Sequence, residues 1–421
     1  MNILFLTIAN IPSIYESGSN IYTDLLREFA DRGHSVYVLS PVVHRRKGER
    51  TLIRQGNTTI IRPVTGRIQK TNFVVKGINT LLLDYRFLRA AKKYLKKIPL
   101  DVILYSTPPL TWNRLLAFLK RCYRAVMVLL LKDIFPQNAV DLGMFSEGGL
   151  LYRYFREKEK RVYALSDHIG CMSEANREYV LRHNPELSPD MVGVSPNSIA
   201  LGEYHRVGEA HKEAIRARYG IPPGKKAFAF VGNLGKLHAV SHIIRCMDEV
   251  ADEEQVFFVC CCQGTGYATF SPYVAKQPPG RILLLPWLPR EQFDELVSCC
   301  DVGLIFLDYR FTIPNFPSRL LEYMKQGLPV LAATDENTDL GKVIVEGSFG
   351  WWCPSNDAGA FHDQIRLILR TDTRRFGENA RRYLEEHYDV KAQYAALMEE
   401  IRKLMVAKEQ GREGRPCGQE I

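Results

Sequence analysis

The stretch "FPSRLLEYMKQGLPVLA", residues 316–332, carries a proline, then an arginine and a glutamate three residues apart, then Gly-Leu-Pro and an apolar run. Pro317 suits a first helical position, where its missing N–H costs nothing. Gly327 suits the residue after a helix, and Pro329 cannot continue one. The spacing predicts a short helix over residues 317–326, feeding a strand over "LPVLAA" (328–333). The amino end of such a helix offers backbone N–H groups and positive dipole, a ready anion site. Ser318 adds a hydroxyl and Arg319 a fixed charge. Glu322 falls on the same helical face as Arg319, and a carboxylate there can accept hydrogen bonds from the two hydroxyls of a ribose. Diphosphate on one group and sugar on the next is a nucleotide-binding arrangement. A solvated Arg–Glu pair on an ordinary helix is the competing reading of the same residues.

Working outward, short apolar segments alternate with helical patterns along the whole chain. "NILFLT" (2–7), "SVYVLS" (35–40), "TTIIRPV", "DVILYS" (101–106), "AVMVLLL" (125–131), "HIGCMS" (168–173) and "MVGVSPN" (191–197) read as strands. The pattern restarts with "KAFAFVGN" (226–233), "QVFFVCCC" (255–262), "RILLLPWL" (281–288), "DVGLIFL" (301–307) and "FGWWCP" (349–354). Apolar strands separated by helices imply parallel sheets covered on both faces. The expected fold is α/β with two doubly wound Rossmann-like domains, residues 1–200 and 201–390, linked near "SIALGEYHRVG" (198–208). A C-terminal helix over 391–407 and a polar, disordered tail over 408–421 follow. Such domains facing each other leave a central cleft at the carboxyl ends of their strands, where ligands bind.

With 421 residues the chain is long enough for two cores. No apolar run is long enough to cross a membrane, and "MNILFLTIANIP" reads as a buried first strand rather than a leader. Cys260, Cys261 and Cys262 are consecutive and Cys299 and Cys300 adjacent. Neither layout fits a zinc site or a secreted disulfide framework, so buried reduced thiols in a cytoplasmic protein are expected. The formal charge of +9 is uneven: residues 1–200 hold 29 Lys and Arg against 17 Asp and Glu, whereas residues 201–421 hold 27 against 30. The first half is therefore expected to face something anionic.

"FPSRLLEYMKQGLPVLA" resembles the "PSK-x-x-EYMAAGKPV" stretch of GT-B glycosyltransferases, specifically glycosyltransferase family 4 in its polysaccharide-assembly subgroup. The family signature is two glutamates separated by seven residues. Glu322 matches the second, but Pro314 stands where the first, a donor-sugar contact, would be. "VGNLGKLHAVSHII" (231–244) resembles the strand–loop–helix that opens the family's second domain. There Gly232, Asn233 and Gly235 would let the backbone approach a diphosphate, and Lys236 would neutralise it. "CQGTGY" (262–267), "WLPREQFDELVSCCDVGLIFL" (287–307, with Asp301) and "SPNSI" (195–199) match further family segments in order. On the acceptor side, "ESGSN" resembles the first Gly-rich loop, placing Gly18, Ser19 and Asn20 there, with an ordinary helix-capping turn as the alternative. "LLLKDIFPQNAVDLG" (129–143) resembles the subgroup's D-x-(W/F)-P loop, where Asp133 would orient or deprotonate the acceptor hydroxyl; a loop-capping aspartate is the alternative.

The resemblance implies a retaining transferase whose substrate is a nucleoside-diphosphate sugar, UDP or GDP being expected, with no separate cofactor. Lys236 and Arg319 would stabilise charge developing on the leaving diphosphate, and the chain has no Asp-x-Asp for a divalent metal. The acceptor would be a glycan or a polyprenyl-diphosphate-linked sugar, in the assembly of capsule, O-antigen or another cell-surface polysaccharide. Residues 61–99 hold ten Lys and Arg against one acid, with Val75, Ile78, Leu81, Leu82, Tyr85, Leu88, Ala91, Tyr94 and Leu95 at helical spacing. A basic amphipathic helix of this kind can lie on an anionic membrane face, giving an expected peripheral location at the inner face of the plasma membrane. No aromatic-rich basic motif for nucleic acid is present. A sugar-nucleotide epimerase of the same fold and a non-catalytic nucleotide-sugar-binding subunit are the alternative functions. A Rossmann dehydrogenase would need G-x-G-x-x-G after the first strand, and "TIANIPSIYESGSN" lacks it.

Overall fold

The computed structural model describes residues 1–16, 18, 20–44, 50–66, 73–202, 204, 207–235 and 239–413, with only the backbone of 73–78 and 411–413. The chain divides into two compact units. The first comprises Met1–Val140, Phe145–Ala200 and Val390–Ile421; the second comprises Asp141–Met144 and Leu201–Asp389.

The first unit runs β1 (Asn2–Leu6), α1 (Thr23–Asp31), β2 (Ser35–Leu39), β3 (Leu52–Gln55), β4 (Thr58–Ile61), α2 (Phe73–Tyr94), β5 (Val102–Ser106) and α3 (Asn113–Tyr123). It continues with β6 (Val126–Leu131), α4 (Gln137–Asp141), α5 (Leu150–Leu165), β7 (His168–Cys171), α6 (Glu174–His183) and β8 (Val192–Val194). The sheet order is β3-β4-β2-β1-β5-β6-β7-β8. Every neighbouring pair is parallel except the edge hairpin β3–β4. The strand order reverses between β1 and β5, so this is a doubly wound sheet with its switch point there. The strands are near-continuous apolar runs because helices cover both faces: all six residues of β6 are buried.

The second unit runs α7 (Glu209–Tyr219), β9 (Lys226–Asn233), α8 (Val240–Glu249), β10 (Val256–Gln263), α9 (Tyr267–Val274), β11 (Ile282–Leu285), α10 (Arg290–Ser298) and β12 (Val302–Phe306). Then come α11 (Arg319–Lys325), β13 (Val330–Thr334), α12 (Leu340–Glu346), β14 (Gly350–Pro354), α13 (Ala358–Leu369) and α14 (Arg374–His387). Its six strands are ordered β11-β10-β9-β12-β13-β14 and all run parallel, with the switch point between β9 and β12. Cys260, Cys261, Cys262, Cys299 and Cys300 are buried and unpaired. Asp301, at the start of β12, accepts from the Ala227 N–H, from Lys212 and from Arg216, and so ties β9 to α7.

Two boundaries differ from those the sequence suggests. The last helix, α15 (Val390–Glu413), belongs to the first unit and runs past residue 407. Lys408, read as the start of a tail, donates to the Ala125 carbonyl at 2.8 Å and to Asp167 at 2.6 Å, and these bonds hold the helix at that point. The helix after Pro317 begins at Arg319, two residues later than its proline suggests. Its first turn is tight: the Leu320 and Leu321 N–H groups donate back to Pro317 and Ser318 carbonyls.

One side chain sets where α11 lies. Pairing of β9 with β12 stops at Gly303, opposite Ala229. The Tyr323 hydroxyl occupies the opening, accepting from the Val231 N–H at 3.2 Å and lying 2.9 Å from the Ala229 and Leu304 carbonyls. A Cβ at position 303 would stand 2.3 Å from the Tyr323 ring, so only glycine leaves room for it. Tyr323→Phe strips the buried Val231 N–H of its acceptor and is expected to cost about 1–3 kcal/mol in urea unfolding. Gly303→Val is expected to cost more, because it displaces the ring and the helix with it. Midpoints equal to the parent protein's in both variants would contradict this account.

Candidate active site

The second unit gathers its candidate residues at the carboxyl end of β9. Gly232 has φ 102°, which lets the strand turn outward there. Gly264, in the β10–α9 turn, has φ 138°; a Cβ on it would fall 2.5 Å from Asn233 Oδ1 and 2.6 Å from the Leu234 carbonyl. The two glycine turns are packed backbone to backbone: the Leu234 N–H donates to Gln263 and the Gly266 N–H to Leu234. A Cβ on Gly235 would meet Asn233 Nδ2 at 3.0 Å. Lys236 lies outside the described residues.

Arg319 and Glu322 share a helix but face different neighbours. Arg319 donates from Nη2 to the Asn233 carbonyl at 2.9 Å, and its guanidinium stands 4.5 Å from the centre of the Phe230 ring. Burial holds that guanidinium below its ordinary pKa, although it remains cationic. Glu322 receives a two-pronged bond from Arg290, at 3.1 Å and 2.7 Å. Arg290 also donates to Asp294 at 2.9 Å. Burial works to lower the Arg290 guanidinium, but its bonds to Glu322 and Asp294 outweigh that and hold it well above the ordinary value. Ser318 is exposed, and its hydroxyl makes no capping bond to α11. With only seven residues and its first N–H groups turned back on themselves, α11 supplies less dipole than a longer helix; among the described residues Arg319 is the cation at the end of β9. Pro314, in place of the family's first glutamate, is buried.

In the first unit, Asp133 follows β6. Both its carboxylate oxygens lie 2.8 Å from Asn138 Nδ2. Burial pushes the carboxyl up to about 6, and the Asn138 amide and Ile134 N–H pull it partly back. A carboxyl poised there can accept a proton near neutral pH. Thr107 braces the loop, accepting from the Lys132 N–H and donating to the Asp133 carbonyl. Burial lowers Lys132 to about 8. Gly18 has φ 73° with open space where a Cβ would stand. Asn20 caps α1: its Oδ1 accepts from the Tyr22 and Thr23 N–H groups. That is the capping alternative, and it engages this oxygen. Ser19 lies outside the described residues. Among the described residues, no group of three His, Cys, Asp or Glu side chains is placed to hold a metal ion.

Sequence reasoning missed Arg290 and Asn138. Arg290 had a signal: it opens α10, where the helix dipole disfavours a cation, so it needs a carboxylate to face. Asn138 had none, because only the turn after β6 brings it back onto Asp133.

Comparison with known proteins places the fold. Residues 18–203 match the model for "Glycosyltransferase Family 4", and residues 211–383 match "Glycosyl transferases group 1". "Probable glycosyltransferase WbjE" of Pseudomonas aeruginosa is 25% identical over 290 residues, 68% of this chain and 71% of that protein. WcaI of Escherichia coli (strain K12), whose name assigns it to colanic acid biosynthesis, is 22% identical over 245 residues, 58% of this chain and 60% of that protein. HepE of Anabaena, whose structure was solved in complex with UDP, has a TM-score of 0.67 at 16% identity, over 96% of this chain and 100% of that one. The fold is GT-B, and the class it defines with these residues is that of the glycosyltransferases. Within it, the chain belongs to the group 1, family 4 glycosyltransferases and is related to enzymes of polysaccharide biosynthesis.

Three outcomes follow from this geometry. Arg290→Ala frees the Glu322 carboxylate from its clamp and is expected to weaken nucleotide binding about 10- to 100-fold, measured by calorimetry; unchanged affinity would show that the clamp has no bearing on the site. For Asp133, the folded-state value of about 6 lies above the ordinary carboxyl value, so ionisation opposes folding as pH rises through about 6. Asp133→Asn is expected to be more stable than the parent protein at pH 8, with the difference vanishing below about pH 4. Asn138→Ala, which removes bonds favouring the ionised form, is expected to move any activity limb near pH 6 upward. A limb that stays in place would dissociate it from Asp133.

Proposed function

We propose that this protein transfers a sugar, with retention of anomeric configuration, from a nucleoside-diphosphate sugar to a glycan or polyprenyl-diphosphate-linked acceptor during cell-surface polysaccharide assembly. The observation that carries the reading is the second unit's arrangement: Arg319 braced on the Asn233 carbonyl, and Glu322 held by Arg290, both at the carboxyl edge of a doubly wound sheet. Arg319 neutralises the charge that develops on the β-phosphate as the bond from the sugar C1 to the diphosphate breaks. Glu322 accepts the ribose hydroxyls: each carboxylate oxygen has a second lone pair left over from Arg290. The HepE complex supports a uridine nucleotide as the donor base. Asp133 is the residue of the first unit assigned to take the acceptor hydroxyl's proton.

A thermal-shift screen against UDP, GDP, ADP and dTDP sugars, followed by a transfer assay, tests the reading. One nucleotide is expected to raise Tm, and Arg319→Ala to lower kcat about 100- to 1000-fold. Stabilisation without transfer to any lipid-linked acceptor would leave a binding subunit instead. No response to any nucleotide would refute the donor site.

We also assign the protein to the inner face of an anionic membrane, bound peripherally. Among the described residues no helix is long and apolar enough to cross a membrane. On α2, Leu83, Phe87 and Ala91 are buried, while Leu81 and Tyr85 are each 59% exposed. The only acid of that segment, Asp84, is buried and caps α3 through the Arg114 and Leu115 N–H groups, so it does not offset the positive surface. Leu150, at the start of α5, is 84% exposed. Exposed apolar side chains on a segment rich in Lys and Arg suit a headgroup boundary. Flotation with anionic liposomes is expected at low salt and to be lost in Leu81→Asp/Tyr85→Asp. Flotation that survives both substitutions would move the contact elsewhere.

A further inference from the structure

Arg62 is the first residue after β4, at the same carboxyl edge of the first sheet that carries Asp133 beyond β6. It is only 8% exposed. Its Nη2 donates to Asn10 Oδ1 at 3.0 Å, and its Nε, fully enclosed, has no hydrogen-bond partner. Among the described residues, no carboxylate comes within ion-pair distance of it. The arginines buried to a similar degree elsewhere do have acids: Arg216 faces Asp301, and Arg381 faces Glu385.

The surroundings of Arg62 are built rather than loose. Its own N–H donates to the Thr51 carbonyl at 2.8 Å. The loop bearing Asn10 is pinned three times. Ser40 Oγ accepts from the Ile11 N–H at 2.6 Å and donates to the Ala9 carbonyl at 2.7 Å, and Thr7 Oγ1 accepts from the Ala9 N–H at 3.0 Å. Asn10 itself is exposed, so the guanidinium is held just beneath an open side chain. Burying a guanidinium beside one neutral amide is costly. A fold keeps such a group when an outside anion completes it, and the planar fork of arginine matches phosphate or carboxylate oxygens in pairs.

We propose that Arg62, with Asn10, forms an oxyanion-binding site on the first unit that takes a phosphate or carboxylate group. Assigning that group to the acceptor, as the phosphate of its lipid link or the carboxylate of an acidic sugar, rests on the transferase reading. The binding itself does not.

The test compares Arg319→Gln with Arg319→Gln/Arg62→Gln, so that the donor site contributes nothing. Inorganic phosphate, and separately glucuronate, are titrated at constant ionic strength while Tm is followed. The first protein is expected to be stabilised saturably, and the second to lose about tenfold or more of that affinity. In the absence of added anion, Arg62→Gln alone is expected to have a Tm equal to or above that of the parent protein, because an uncompensated buried charge is gone. A response to phosphate points to the lipid link, and a response to glucuronate points to an acidic sugar. Equal titrations in the two proteins would overturn the proposal. So would a lowered Tm in Arg62→Gln that Arg62→Lys restores, since that marks a structural role. Loss of nucleotide-sugar binding in the parent protein, with this titration intact, would refute the transferase reading and leave the anion site standing.

Discussion

The Tyr323 hydroxyl, lodged where β9 and β12 stop pairing, is the contact on which the second unit of this protein depends. The second sheet opens at its switch point, and the backbone groups exposed there need partners. Tyr323 supplies one oxygen that reaches both strands at once. In doing so it fixes the rotation of a helix too short to hold itself. With the ring seated over Gly303, Arg319 is carried toward the turn after β9 and Glu322 toward α10. The direction of both functional side chains thus follows from a packing contact that touches no substrate.

The consequence is a division of labour between two residues that a helix wheel would pair. Arg319 is stacked on Phe230 and bonded to the Asn233 carbonyl, which orients the cation. Glu322 is clamped by Arg290, which fixes the carboxylate while leaving lone pairs for hydroxyl donors. A carbonyl partner orients a guanidinium without cancelling its charge. Had it been engaged by the neighbouring glutamate, much of that charge would have been cancelled. The same logic separates Arg62 from Arg216: the one meets an amide, the other an aspartate.

Asp133 shows burial doing the opposite work. Enclosure raises its affinity for a proton, and a single asparagine moderates the shift by bonding both oxygens. The outcome is a carboxyl near neutrality rather than one locked in either state. The neighbouring Lys132, lowered by the same enclosure, adds a second group whose charge is marginal at that edge of the sheet.

The alternation of apolar runs with helical periods determined two doubly wound sheets, because a strand covered on both faces must be apolar throughout and a covering helix only on one side. The glycine turn of "VGNLG", the short helix carrying Arg319 and Glu322, and the place of Asp133 just past its strand were legible, since each depends on local chain geometry; that Arg319 and Glu322 face different neighbours was not. What a side chain does with its far end was not legible. That Asp84 would cap α3, that Leu81 and Tyr85 would face outward, and that the last helix would return to the first unit all depend on surfaces distant in the chain. Arg290 on Glu322 spans 32 residues, and Arg62 beside Asn10 spans 52. Pairing energy depends on distance in space, and only the packed sheets bring those groups within reach.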